Sequence, residues 1–129
     1  MNVFLGGTCN ESTWREELIG LLKIDYFNPI VDDWTPDCME EEIKQRGQCD
    51  YCLYTITPKM TGVYSIAEVV DDSNKRPAKT IFCVLSEDDN KFFTIGQVRS
   101  LKSVADMVKK NGAKVLYSLY DVAEFLNNF

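Results

Sequence analysis

The sequence predicts an α/β fold in which a parallel sheet carries helices on both faces. Short apolar runs alternate along the chain with longer segments whose apolar residues recur every three or four positions. This alternation of strand and helix patterns is typical of parallel sheets. Residues 80–85 form a continuous apolar run, as expected for a strand buried on both faces. Five such strands favour a doubly wound, flavodoxin-like sheet in the order 2-1-3-4-5.

Length and composition predict a single domain spanning residues 1–129. The chain is 45% hydrophobic and 26% charged, which is ordinary for a soluble globular protein. No apolar stretch approaches the roughly 18 residues that cross a bilayer. The first residues also lack the basic and then apolar pattern of a signal peptide. We therefore expect no membrane partner.

Charge, cysteine and histidine content narrow the classes of function further. A net charge of −6 without a basic stripe argues against duplex nucleic acid as a partner. Five cysteines, an odd number, indicate a reducing, cytoplasmic setting. The pair Cys49 and Cys52 has CxxC spacing, but a spacing of three on a predicted strand puts the sulfurs on opposite faces. The chain has no histidine, which excludes histidine-based nucleophile pairs and histidine-ligated metals. We expect no metal and no cofactor.

The first half of the chain is predicted to form two strands and two helices. A capping-box spacing of Thr13 and Glu16 marks the first helix start, and Gly47 is a plausible C-cap of the second helix. The second helix is acidic at its beginning and basic at its end, which suits the helix dipole. These elements are a strand at residues 2–5 closed by Gly6 and Gly7, a helix at 12–23, a strand at 25–30 and a helix at 37–46.

The second half continues the alternation. Pro58 ends the third strand because proline cannot donate a ladder hydrogen bond. A helix then begins at Thr61 or Gly62, with Ile66, Ala67 and Val70 facing inward. The elements are a strand at residues 51–57, a helix ending at 72, a strand at 80–85, an acidic loop at 87–89, a helix at 97–110, a strand at 114–117 and a helix at 119–127.

Three loops are predicted to meet at the carboxyl ends of strands 1 and 3. In this sheet order that edge is the switch point where ligands bind. The loop before the third helix allows close approach of a ligand at Gly62, and the helix beyond it offers free N–H groups. The three loops are residues 6–8, 32–34 and 57–62.

Four segments carry a resemblance to a known family. They read FLGGT at residues 4–8, WREEL at 14–18, YFNP at 26–29 and TITPKMTGVYSIAE at 55–68. Together they resemble the nucleoside 2-deoxyribosyltransferase-like family. The likeness covers nearly the whole chain and is strongest in its first two thirds. It implies a small-molecule nucleoside or nucleotide as ligand, and a homo-oligomer in which neighbouring subunits complete the site.

The resemblance also implies a chemistry that needs no histidine. In that family a carboxylate attacks the anomeric carbon of a deoxynucleoside, a second carboxylic acid assists departure of the base, and another base or water takes the sugar. The family nucleophile lies four positions after the loop glycine, where this chain has Ile66. Glu68, two positions further on, is the candidate nucleophile, or else complements the helix dipole.

The family acid lies eight residues before the aspartate that opens strand 3. With Asp50 as that aspartate, the candidate acid is Glu42, which otherwise belongs to a solvated acidic helix start. Two residues before the loop glycine, where the family has a carboxylate, this chain has Met60.

Further candidates are contact residues, each with a structural alternative. Gly6 and Gly7 admit the base or sugar, or make a tight turn. Trp34 stacks on a base, or covers the core. Asp33 binds a sugar hydroxyl or base edge, or forms an Asx turn. Ser65 and Thr57 hydrogen-bond the ligand, or are satisfied locally. Arg15 aids an anionic ligand, or pairs with glutamates. The predicted substrate contacts are therefore Gly6, Gly7, Asp33, Trp34, Thr57, Met60, Gly62 and Ser65.

Two classes of function fit these features. The first is an enzyme that transfers or hydrolyses the N-glycosidic bond of a nucleoside or nucleotide, with Glu68 and Glu42 as its catalytic pair. The second is an inactive nucleotide-binding module, favoured by the displaced glutamate and by Met60 in place of a carboxylate. A flavin mononucleotide protein is disfavoured, because the first loop lacks a run of serine and threonine.

Overall fold

The computed structural model describes residues 1–9, 11–31, 33 and 35–128. Helices and strands alternate along the chain as predicted. In chain order the elements are β1 (Asn2–Gly7), α1 (Trp14–Ile19), β2 (Asp25–Phe27), α2 (Pro36–Gln48), β3 (Tyr51–Ile56), α3 (Tyr64–Lys75), a 3₁₀ turn (Pro77–Lys79), β4 (Thr80–Val84), β5 (Glu87–Asp88), β6 (Lys91–Phe92), α4 (Ile95–Lys110), β7 (Lys114–Leu116) and α5 (Leu119–Asn127).

The main sheet is parallel and has the order β2-β1-β3-β4-β7. Since β7 is its fifth strand in sequence, this confirms the predicted flavodoxin-like order. Strand β1 lies between β2 and β3, and its last residue, Gly7, pairs with Thr55. Because all strands point the same way, the loops after β1 and β3 emerge side by side at the carboxyl edge.

Both faces of the sheet are covered, because successive strand residues point to opposite sides. Leu5, Leu53 and Ile81 pack with Trp14 of α1 and Val122 of α5 on one face. Phe4, Tyr54 and Phe82 pack with residues of α3 and α4 on the other: Val69, Leu101, Ala105 and Val108. The continuous apolar pattern of β4 follows from burial on both sides.

Residues 87–92 form a small hairpin where the sequence predicted only an acidic loop. Asp89 and Asn90 take positive φ angles of 50° and 63°, which two-residue hairpin turns require. The hairpin is tied to both loops of the carboxyl edge. Ser12 Oγ donates to Asp88 Oδ2 at 2.6 Å, while Lys59 donates to the Glu11 carbonyl and pairs with Asp89.

Several predicted boundaries were wrong at the helix ends. Helix α1 is shorter than residues 12–23, and Thr13 makes no side-chain capping bond, so the predicted capping box does not form. Helix α2 runs through Gly47 and has Cys49 as its C-cap. Helix α3 begins at Tyr64 and continues to Lys75. Its position 67 is exposed, whereas Val69 is fully buried.

The sequence had predicted both cysteines of the CxxC pair on one strand, and this was wrong. Cys49 caps α2 and Cys52 lies in β3, and the two thiols donate to Gln45 Oε1 and to the Arg46 carbonyl. Within the described ranges, no group of three or more cysteine, aspartate or glutamate side chains is placed to hold a metal ion. No helix in those ranges is long and apolar enough to cross a bilayer.

Candidate active site

A cleft of about 500 Å³ opens at the carboxyl ends of β1 and β3. The turn after β1, one side of α2, the loop after β3 and the first turns of α3 form its wall. It brings together seven of the predicted site residues: Gly6, Gly7, Glu42, Met60, Gly62, Ser65 and Glu68.

Two glycines in β1 let the strands come close beneath the cleft. A Cβ atom at Gly7 would lie 2.0 Å from the Thr55 carbonyl oxygen, and the φ angle of Gly7 is +122°. A Cβ atom at Gly6 would lie 2.7 Å from the Tyr54 ring. Both glycines also line the cleft, so the tight packing and the open wall arise from the same missing side chains.

Thr57 and Thr8 join the two loops at the cleft edge. The Thr57 N–H donates to Thr8 Oγ1 at 3.0 Å, and Thr57 Oγ1 accepts from the Lys59 N–H at 3.2 Å. Thr57 is fully buried and lies outside the cleft lining. Its hydroxyl is therefore satisfied locally, the structural alternative considered for it.

The loop after β3 leaves the start of α3 open to the cleft. An added Cβ atom at Gly62 would meet nothing within 4 Å, so this glycine is required neither for close packing nor for a positive φ. Val63 is the N-cap and offers no capping side chain. The first N–H groups of α3 therefore lie beside Ser65 at the cleft wall, where they favour an anionic or oxygen-rich ligand group.

Glu68 projects from α3 into this cleft and is mostly shielded from water. Its side chain is 12% exposed, and its Oε2 lies 3.7 Å from Arg46 Nη1. Burial raises the pKa of Glu68 to about 7, and the charges of Glu42 and Asp72 act in the same direction, whereas Arg46 and Arg15 oppose them. Glu68 is thus poised to change protonation near neutral pH.

Glu42 lies on α2 and lines the same cleft. It is half-buried, whereas its neighbours Glu40 and Glu41 are exposed. Burial raises the pKa of Glu42, and the charges of Arg46 and Arg15 counteract this. Glu42 therefore differs in burial and in pKa from the solvated acidic residues next to it in sequence.

Arg15 is buried and stabilises the end of β1 around Gly7 through hydrogen bonds. It donates to the carbonyls of Leu5 at 3.0 Å, Thr8 at 2.6 Å and Gly7 at 3.3 Å. Its guanidinium stacks 4.5 Å from the Trp14 ring centroid. Burial lowers its pKa to about 10, so it stays cationic at neutral pH. Each of its three nitrogens donates to a backbone carbonyl. Its positive charge also acts to lower the pKa of Glu42 and of Glu68.

A family model described as "Nucleoside 2-deoxyribosyltransferase like" matches residues 1–87. The match covers most of the chain and includes β1 to β4. The chain belongs to the nucleoside 2-deoxyribosyltransferase-like family. No curated protein and no solved structure matches it. Both cleft glutamates lie within the residues that the family model matches.

Behind the cleft, this member of the family holds a buried charge network that was not predicted from the sequence. Asp72 is fully buried and accepts from Arg46 Nη2 and Arg76 Nε, each at 2.9 Å, and from the Tyr54 hydroxyl. Arg46 also contacts Asp71 at 3.0 Å. A signal was present, because Arg46 and Asp72 each follow a cleft glutamate by four residues and so share its helix face.

Of the two contacts predicted in the loop at residues 32–34, Asp33 alone lies within the described part of the chain. Asp33 is exposed and does not line the cleft. Trp34, like Asp32, lies outside the described residues, so stacking on a base remains a prediction from the sequence. The nearby stretch of Pro29, Ile30 and Val31 does line the cleft and supplies an apolar wall.

Proposed function

We propose that this protein cleaves the N-glycosidic bond of a nucleoside or nucleotide, through a carboxylate nucleophile. The observation that carries the proposal is the convergence of Glu68 and Glu42 on one cleft at the switch point of the sheet. Membership of the nucleoside 2-deoxyribosyltransferase-like family supports it. Two carboxyl groups in one cleft suit glycosyl transfer with a covalent intermediate.

In the first step, an oxygen of ionised Glu68 attacks C1′ of the sugar. The bond between C1′ and the base nitrogen breaks, and its electron pair leaves with the base. Protonated Glu42 gives its proton to the departing base, which avoids a free anion. The product is a glycosyl ester on Glu68. Arg46, 3.7 Å from Glu68, favours the negative charge that this carboxylate needs before attack.

In the second step, an acceptor base or water attacks C1′ from the face that the first base left. Glu42, now a carboxylate, takes the proton of the attacking group, and the ester oxygen returns to Glu68 as a carboxylate. A second base as acceptor gives transfer, and water gives hydrolysis. The N–H groups at the start of α3 are placed to receive sugar hydroxyls or a 5′-phosphate.

The buried thiols of Cys49, Cys52 and Cys83 support a reducing, cytoplasmic location as part of this proposal. Burial raises the pKa of Cys52 and of Cys83 to about 12, so these thiols stay protonated and inert. They take no part in the proposed chemistry.

The decisive experiment incubates the purified protein with a panel of deoxynucleosides, nucleosides and their monophosphates, with and without an acceptor base. Chromatography then measures base release or exchange. We expect turnover by the wild type and a loss of at least about a thousandfold in Glu68→Ala, because the intermediate cannot form. Glu41→Ala, which changes an exposed glutamate on α2, is the matched control and should retain activity. Equal turnover by wild type and Glu68→Ala would rule out this nucleophile.

The second candidate is a binding module without catalysis. Met60, in the cleft lining where the family resemblance implies a carboxylate, favours it because a thioether does not bind sugar hydroxyls strongly. A rise in melting temperature with a panel ligand, without base release, would support this candidate over the enzyme.

A further inference from the structure

The charge network behind the cleft has more positive than negative members when Glu68 is left out. Its cations are Arg46, Arg76 and Lys75, and its anions are Asp71 and Asp72. Lys75 and Asp71 are partly exposed, so the charges nearest the core are Arg46, Arg76 and Asp72. An ionised Glu68, in contact with Arg46, brings these buried charges into balance.

The geometry of Arg46 fits this purpose. Its Nε donates to Asp72 at 3.3 Å. Its Nη2 donates to Asp72 at 2.9 Å and to Asp71 at 3.0 Å. These bonds fix the plane of the guanidinium and leave Nη1 directed at Glu68 Oε2, 3.7 Å away. Asp72 is itself fixed by Tyr54 and Arg76. The chain of contacts thus runs from the core of the sheet to the wall of the cleft.

We propose that Arg46, oriented by Asp72, is a positioning residue that provides the counter-charge of the Glu68 carboxylate. The catalytic role of Arg46 rests on the proposed function. The charge interaction between Arg46 and Glu68 itself does not need a substrate. Arg46 need not contact the substrate, because it acts through Glu68.

Other charged groups also face Glu68 and must be considered with Arg46. Glu42 comes from α2, Arg15 from α1 and Asp72 from α3. Only Arg46 forms an ion pair with Glu68 among the described residues. Removing a cation and removing an anion from this set must therefore move the titration of Glu68 in opposite directions.

The test measures that titration directly, by NMR of ¹³C-carboxyl-labelled glutamate, with Glu68→Gln identifying the Glu68 signal. In Arg46→Gln the midpoint should rise by about one pH unit or more, because a cation close to the carboxylate is lost. In Arg46→Lys, which keeps the charge, the midpoint should stay near that of the wild type. In Asp72→Asn the side-chain amide oxygen can still accept from Arg46, so the loss of the negative charge should lower the midpoint.

Lys102→Gln is the control, since it removes one positive charge from an exposed pair on α4 and should leave the midpoint unchanged. Asp71→Asn replaces Asp72→Asn if the buried variant does not fold, because Asp71 is 42% exposed and also holds Arg46. An unchanged midpoint in folded Arg46→Gln, or shifts of the same sign in the Arg46 and Asp variants, would overturn the inference.

Kinetics then separate this inference from the proposed function. If the enzyme turns over, the acidic limb of kcat/KM should move with the NMR midpoint. With a midpoint one pH unit higher, Arg46→Gln should have a kcat/KM about fivefold below that of the wild type one pH unit below its new midpoint, and approach the wild type at higher pH. NMR shifts without turnover in any variant would refute the proposed function and leave the charge interaction standing.

Discussion

At the residue scale, Glu68 is held in a place that does not favour its charge. Its side chain is mostly buried, and burial is the largest cause of its raised pKa. Arg46 offsets part of this cost but does not remove it. A buried carboxyl with a raised pKa is typical of functional sites, and its cost can be measured as a loss of stability.

We expect Glu68→Gln to stabilise the protein above neutral pH. The pKa of Glu68 rises from 4.5 in the unfolded chain to about 7 in the fold. The folded state therefore binds this proton more tightly, and stability falls as pH rises from 4.5 to 7. Glutamine does not ionise, so the variant should gain about 1–2 kcal/mol at pH 8, after allowance for solvent screening.

Urea unfolding of both proteins between pH 4 and pH 8 measures this difference. The two free energies of unfolding should agree near pH 4, separate between pH 4.5 and 7, and stay apart above that. A constant difference at all pH values would contradict the raised pKa and point to a packing effect.

Individual residues were predictable from the sequence where a local pattern marked them. Glu68 and Glu42 were candidates through the family resemblance, Glu68 two positions beyond the family's nucleophile, and both line the cleft. The contact between Arg46 and Asp72 was not predicted, because these two residues lie 26 positions apart on different helices. Only tertiary packing brings such side chains together.

At the scale of elements, the turn after β1 and the start of α3 depend on their glycines to different degrees. Gly7 is required by both its φ angle and the contact with β3, whereas Gly62 has open space around its Cα. Gly7 is therefore needed for the packing of β1 against β3, whereas Gly62 leaves open space in the opposite wall of the cleft.

This contrast gives a paired prediction. Gly7→Ala should cost at least about 3 kcal/mol, because strain at positive φ adds to a clash with the β3 backbone. Gly62→Ala should change the free energy of unfolding by less than about 1 kcal/mol. Thermal and urea unfolding of both variants provide the comparison. Similar losses in the two would show that Gly7 does not fit as closely against Thr55 as described.

The elements were predictable in kind and order, and less so in their ends. Helix α5 was predicted with its observed bounds, and the structure shows Ser118 Oγ accepting from the Asp121 N–H at its start. Helix α1 was predicted too long, because its chain leaves helical geometry after Gly20 while the apolar pattern continues through Leu21 and Leu22. The hairpin at 87–92 was missed because its turn has no glycine.

At the scale of the whole molecule, exposed apolar side chains gather at the starts of α3 and α4. Val63 is 69% exposed and Ile95 is 74% exposed. These helices pack on the same face of the sheet, and Met60 lines both the cleft and the groove between them. Together with the family resemblance, this leads us to propose a homo-oligomer that covers this region.

We expect light scattering after gel filtration to give a mass that is a multiple of the monomer mass. The double variant Val63→Ser and Ile95→Ser should shift the protein toward monomer, because apolar area no longer drives association. Ile43→Ser, which changes an exposed isoleucine on α2, is the matched control. A monomeric wild type at tens of micromolar would contradict the proposal.

The sheet order was the most predictable property of the molecule. Strict alternation of strands and helices leaves few ways to build a parallel sheet with right-handed connections. Of the three predicted loops, the one at residues 32–34 was the least predictable, because neither periodicity nor a capping signal in the sequence bears on it.

The interior position of β1 in the sheet has a consequence for synthesis on the ribosome. Its edges are completed by β2 and by β3, and β3 follows about 45 residues later. At ordinary translation speeds the nascent chain therefore carries an apolar strand with an open edge for about 2–10 s. Slower elongation prolongs this interval and favours aggregation, whereas early capture by a chaperone protects the strand until its neighbour emerges.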